Sequence, residues 1–158
     1  MVRKNPLLYV RNLAEVKKYD FKVPALVYRA HVGTHTATTG LRRASGASAV
    51  GDDYLAAIIQ HTARTGGSKG EVLSLAAERA TSVKFVKPGT VIQQIDTTLA
   101  PPRSFRTAAD IILTDGPRLV EKGKLTRSTL LKAVDNLKHH NEQELFYIAG
   151  DIPAKYLL

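Results

Sequence analysis

The chain contains no cysteine and no tryptophan, and a single methionine in 158 residues. Without cysteine it has no disulfides, no thiolate metal ligands and no thiol nucleophile. Aromatic residues are scarce, at 6%. They are not interleaved with basic residues in the pattern that stacks nucleic-acid bases. No apolar run approaches the ~18 residues of a membrane-spanning helix. The opening Met1-Val2-Arg3-Lys4-Asn5-Pro6 is basic and lacks the apolar stretch of a signal peptide. No internal repeat is visible, and no serine sits in a Gly-x-Ser-x-Gly elbow.

What is present reads as one globular domain over residues 1–158, long enough for a sizeable core. Hydrophobic residues make up 44% and charged residues 23%. The formal net charge is +9 and the pI about 9.9. Such a surface can meet nucleic acid, anionic lipid, acidic protein or a phosphate-bearing ligand.

Punctuation and periodicity divide the chain into short elements. Residues 7–18 read as a short helix, and Val23–Ala30 as a strand following an early proline. Residues 31–50 are rich in Gly, Thr, Ser and Ala and read as a long loop. A helix opens at Gly51-Asp52-Asp53, with Asp52 as its N-cap and Gly66-Gly67 as its stop. Tyr54, Leu55, Ile58 and Ile59 recur at helical spacing. Glu71–Ala76 and Thr90–Thr97 read as strands, and Ala77–Phe85 as a short helix. Ala108–Leu113 is apolar and reads as a strand or a helical turn, ending at an Asp115-Gly116-Pro117 turn. Thr126 or Ser128 caps a helix to about His140. The Lys and Arg of residues 118–138 read as a solvated helix face. Glu144–Ala149 is the next strand, and Tyr156–Leu158 starts another. Short strands mixed irregularly with helices give an α+β fold.

Four places stand out. Arg29 lies inside the apolar strand Leu26-Val27-Tyr28-Arg29-Ala30. Taken alone it is a strand-edge arginine pointing to solvent. A buried arginine there needs an anion, and guanidinium holds phosphate bidentately. His61 falls near the end of its helix, where a histidine is usually surface or cap. Ser74 lies in Val72-Leu73-Ser74-Leu75-Ala76, where the common reading is a hydroxyl bonded to backbone. Glu142 and Glu144 sit two apart before an apolar run, so an extended backbone points both to one side. Two such carboxylates repel unless substrate or a cation lies between them. His139 and His140 are adjacent, which does not match helical metal-ligand spacing, and no metal is expected.

The order of these features resembles the ADP-ribosyltransferase fold of the cholera- and pertussis-toxin type, described by an Arg-Ser-Glu triad. Tyr28-Arg29-Ala30 is similar to that family's Tyr-Arg segment. His61-Thr62-Ala63-Arg64-Thr65-Gly66-Gly67 resembles its Asp-His-Ala-Arg segment ahead of the serine strand. Val72-Leu73-Ser74-Leu75-Ala76 lies where the family has Val-Ser-Thr-Ser, with Leu75 and Ala76 replacing two hydroxyl positions. Glu142-Gln143-Glu144 with Gly150-Asp151-Ile152-Pro153 behind it is the most specific match.

The resemblance implies two steeply packed antiparallel sheets with helices flanking an NAD cleft. It implies an NAD–protein-arginine ADP-ribosyltransferase, a glycosyltransferase that uses NAD as substrate. Glu144 is then the carboxylate at the ribose, Ser74 its support, and Glu142 the group that orients and deprotonates an acceptor arginine. Arg29 holds the NAD phosphates and His61 the adenosine side, with Tyr28 and Ser74 also among the cofactor-binding residues. Residues 98–125 have no counterpart in the family. The implied setting is a secreted or delivered toxin or virulence effector acting in a target-cell cytoplasm, with a target protein and a cognate immunity protein as partners. Two alternatives stand beside this one. An NAD glycohydrolase would use water as acceptor. A non-catalytic basic module would bind nucleic acid, with the net charge as its support.

Overall fold

The computed structural model describes residues 13–31, 50–64, 72–83, 88, 91–139 and 143–158. Most of the expected 31–50 loop, residues 7–12 and Glu142 lie outside the described residues. Residues 13–16, within the expected 7–18 helix, are helical and lead into a 3-10 turn at Lys17–Tyr19. Five strands and four further helices follow among the described residues: β1 (Leu26–His31), α1 (Gly51–Ala63), β2 (Leu75–Ala76), α2 (Arg79–Val83), β3 (Val91–Asp96), β4 (Phe105–Thr107), α3 (Ala108–Glu121), α4 (Arg127–His139) and β5 (Glu144–Tyr147). The fold is α+β. The strands form one antiparallel sheet in the order β3-β1-β2-β5-β4.

The sheet is uneven. β1 and β3 pair over six residues each, from Leu26↔Asp96 to His31↔Val91. β4 and β5 pair over three. Between these halves stands β2, only two residues long. It meets β1 at Tyr28↔Ala76 and β5 at Leu75↔Leu145 and Ala76↔Glu144. The segment with the serine is therefore the seam of the sheet.

Side-chain alternation divides the core in two. Leu145 and Tyr147 of β5 join Val27, Leu75, Ile95 and Phe105 on one side. Phe146 joins α1, α3 and α4 on the other, among Tyr54, Ile58, Ile112 and Leu130. Glu144 has the parity of Phe146, so it starts β5 on the helical side.

Several expectations are corrected. α1 has Val50, not Asp52, at its N-cap. Asp52 lies in the first turn and receives Arg118 at 2.8 Å and Lys122 at 3.0 Å. Those cations are therefore tied to α1 and are not simply a solvated face. α1 ends at Arg64, which takes a left-handed φ of 57°, ahead of the expected glycine pair.

The Asp115-Gly116-Pro117 turn does not form. α3 runs through it to Glu121, capped by Thr107, whose hydroxyl accepts the Asp110 N–H at 3.0 Å. Asp115 turns inward and lies 2.7 Å from Arg106 and 2.8 Å from Arg118. Gly116 gives room to α4, because a Cβ there would stand 2.6 Å from Leu130 Cδ1. The residues around Ala108 that allowed a strand reading are helix, and β4 precedes them. At the C-terminus, Ala154–Tyr156 is a 3-10 turn, and Leu157 bridges to Ile95 at the outer edge of β3.

Candidate active site

Four of the singled-out residues meet at the seam. Arg29 comes from β1, His61 from the last turn of α1, Ser74 from the entry to β2 and Glu144 from the start of β5. Arg29 Nη1 donates to the Ser74 carbonyl at 2.8 Å, across 45 residues of chain. Ser74 Oγ donates to Glu144 Oε2, across 70 residues. His61 Nε2 stands 3.0 Å from the same oxygen, across 83 residues. A carboxylate only accepts, so that ring nitrogen carries its proton.

Local backbone explains the convergence. Gln143 adopts a φ of 53°, the left-handed region that a residue with a Cβ avoids. Its carbonyl accepts the Ala77 N–H at 3.3 Å. This turn brings Glu144 into β5 with its side chain on the helical side. There the His61 ring meets Phe146 edge-on, with centroids 6.2 Å apart.

The electrostatics favour an ionised Glu144. Its side chain is 21% exposed, and burial acts to raise its pKa. The hydrogen bond and charge of His61, the Ser74 hydroxyl and the Arg64 charge act the other way. The net result holds Glu144 below the usual carboxylate range. Both hydrogen bonds fall on Oε2. Among the described residues none falls on Oε1. Burial lowers Arg29 from its ordinary value, and arginine remains a cation in any such setting. One of its five N–H donors goes to the Ser74 carbonyl, the hydrogen bond its guanidinium makes among the described residues.

Tyr28 has no hydrogen bond to this cluster. It lies in one row with Ala76 and Glu144 across β1, β2 and β5, two strands from the carboxylate and facing the same side. Glu142 lies outside the described residues. The expectation for His61 differs from its observed contact, since it touches the carboxylate itself. What a helix-end histidine touches depends on how the helix docks, and periodicity does not give that. Arg64 and Tyr54 were not singled out from the sequence. Arg64 carries a weak signal, three residues after His61 and hence beside it on a helix surface. Tyr54 reads only as core.

No family model matches the chain, and neither does any curated protein or solved structure. Among the described residues no group of three His, Asp or Glu side chains is placed to hold a metal ion. Among them, too, no helix is long and apolar enough to cross a membrane.

Proposed function

We propose that the chain is an ADP-ribosyltransferase domain that cleaves NAD at the nicotinamide–ribose bond and passes ADP-ribose to an arginine of a target protein. One observation carries the reading: Arg29 contacts Ser74 and Ser74 contacts Glu144, in the order and chemistry of the Arg-Ser-Glu triad.

In this reading NAD lies along the seam, with its phosphates at the Arg29 fork and its ribose at Glu144. The described strands form one sheet and not the two that the resemblance implies; in this reading its β3-β1 and β5-β4 halves, joined by β2, take their place. The C–N bond to nicotinamide breaks, and its electron pair leaves on neutral nicotinamide. The ribose becomes oxocarbenium-like. Glu144 accepts a ribose hydroxyl through Oε1 and faces the growing positive charge, which it stabilises more than the neutral ground state. A guanidinium nitrogen then bonds to the ribose carbon, and its proton passes to Glu142. That help is needed because free guanidinium is protonated at neutral pH.

A second reading has its own support. In this reading the described contacts around Glu144 serve formation of the cation, and none of them selects the acceptor. Water as acceptor, giving an NAD glycohydrolase, uses the same described residues. A toxin or effector with a protein target and an immunity partner is the setting we propose for either reaction.

The test is nicotinamide release from NAD, measured alone, with agmatine and with a cell lysate. Wild type should release nicotinamide and label agmatine and lysate proteins. Glu144→Gln should lower release on the order of 10²- to 10³-fold, since shape stays and charge goes. Release without labelling replaces transfer by hydrolysis. Wild-type release by Glu144→Gln removes the carboxylate from its role. No release by wild type ends the NAD reading and brings the basic nucleic-acid module forward.

A further inference from the structure

Residues 72–74 precede the two-residue β2 and lie outside the strand ladder. Val72 and Leu73 are nevertheless buried. Buried backbone groups need partners, and here side chains supply them. The Tyr54 hydroxyl oxygen accepts the Leu73 N–H at 3.2 Å. Arg29 donates to the Ser74 carbonyl at 2.8 Å. The Leu73–Ser74 dipeptide is thus held at both ends by groups from other elements.

We propose that Tyr54 is a positioning residue for the NAD reaction described above: its hydroxyl holds the backbone that aims Ser74 Oγ at Glu144 Oε2. The inference rests on that reading for its chemistry and on the clamp for its geometry. Tyr54 is 1% exposed, so it acts through Ser74 and does not touch substrate. Its ring packs in the helical core, and only its tip reaches the serine segment. His61 lies about two turns further along α1, on the same side of the helix. One face of α1 therefore sets both partners of Glu144 Oε2, His61 by direct contact and Ser74 through Leu73.

The experiment compares wild type, Tyr54→Phe, Ser74→Ala and the double variant, with folding checked by circular dichroism. Tyr54→Phe should lower kcat for nicotinamide release about five- to tenfold, the scale of one net hydrogen bond, with KM for NAD little changed. In the Ser74→Ala background it should cause no further loss, because its effect runs through the hydroxyl already removed. An equal fall in both backgrounds, or none, overturns the proposal. A second readout needs no turnover. The Glu144 carboxyl, followed by NMR, should titrate higher in Tyr54→Phe and in Ser74→Ala, with no further rise in the double variant. His61 and Arg64 face the carboxylate in all four proteins and stay constant. An unmoved Glu144 midpoint in Tyr54→Phe overturns the proposal whether or not NAD is consumed. Shifted midpoints without NAD consumption by wild type keep the positioning link and discard the NAD reading. Should Tyr54→Phe fail to fold, amide exchange of Leu73 in wild type decides: a protected N–H is expected, and a freely exchanging one overturns the clamp.

Discussion

In the proposed reading Arg29 has two tasks, and they predict a particular kinetic signature. One donor holds the Ser74 carbonyl at 2.8 Å, and the proposal assigns the rest of the fork to a diphosphate. Arg29→Lys keeps the charge but replaces a planar fork by a point donor. Calorimetric titration with NAD, on a Glu144→Gln background that blocks turnover, should show a loss of about 1–3 kcal/mol in binding, the range of a charge-assisted hydrogen bond. On the active background kcat should fall as well as affinity, because Ser74 loses its carbonyl partner. Unchanged affinity in both Arg29→Lys and Arg29→Ala would remove the phosphate role. The described cluster was legible in the sequence to the extent that its residue types are chemically unusual where they stand: a charge inside an apolar strand, and the acid Glu144 at the head of another. The contacts of His61, Arg64 and Tyr54 were not legible. All three lie on α1 or at its end, and a helix shows its period in the sequence but not the neighbour it packs on. The left-handed Gln143 was hidden for a related reason, since glutamine carries no signal for a positive φ.

Among the elements, α3 and β4 show how local signals mislead. Asp115-Gly116-Pro117 has the composition of a turn. In the fold each residue answers a tertiary demand. Asp115 pairs with the buried Arg106, Gly116 lets α4 approach, and Pro117 sits in a helix whose apolar face continues to the fully buried Leu119. Packing on that face overrides the proline penalty of about 3 kcal/mol. β4 was missed because it is three residues long, all buried, and includes an arginine. Longer, periodic elements such as α1, α4 and β3 were read with ends displaced by a few residues. Gly116→Ala tests the packing account. Alanine gains about 1 kcal/mol in helix propensity. Against this, a new Cβ would stand 2.6 Å from Leu130 Cδ1 and 3.2 Å from Cδ2. Leu130 is fully buried and cannot swing outward. Overpacking of this kind costs about 1–3 kcal/mol, so net destabilisation is expected. Urea unfolding should show a lower midpoint. A raised midpoint would mean that helix propensity wins and that α3 and α4 are loosely packed there.

The whole molecule responds to pH through charges spread over several elements. Asp52 lies below the usual carboxylate range through hydrogen bonds from Arg118 and Lys122. At Asp110 burial acts upward, but Arg106 and Thr114 prevail and lower it. Glu144 is lowered against burial in the same way. A carboxyl that is depressed in the folded state contributes stability above its unfolded value, near 4, and loses it as pH falls through the folded value. Each protonation also adds to a net charge already at +9, so self-repulsion acts in the same direction. On the alkaline side Lys124 and Lys138 are raised by Asp53 and Glu15. Their contributions are complete below the unfolded lysine value and disappear as pH climbs through the folded one. Burial raises Tyr147, which makes its ionisation harder in the folded state and steepens the same limb. Tm should therefore be level between about pH 5 and pH 9 and fall on both sides. The acid limb tests the pairings one at a time. In Asp110→Asn and in Glu144→Gln one depressed carboxyl is gone, so fewer protons are taken up on unfolding. The slope of stability against pH below about 5 should be shallower in each variant. A slope equal to wild type in Asp110→Asn would mean that Arg106 does not hold that carboxylate. A wild-type Tm as high at pH 3 as at pH 7 would remove all three pairings together.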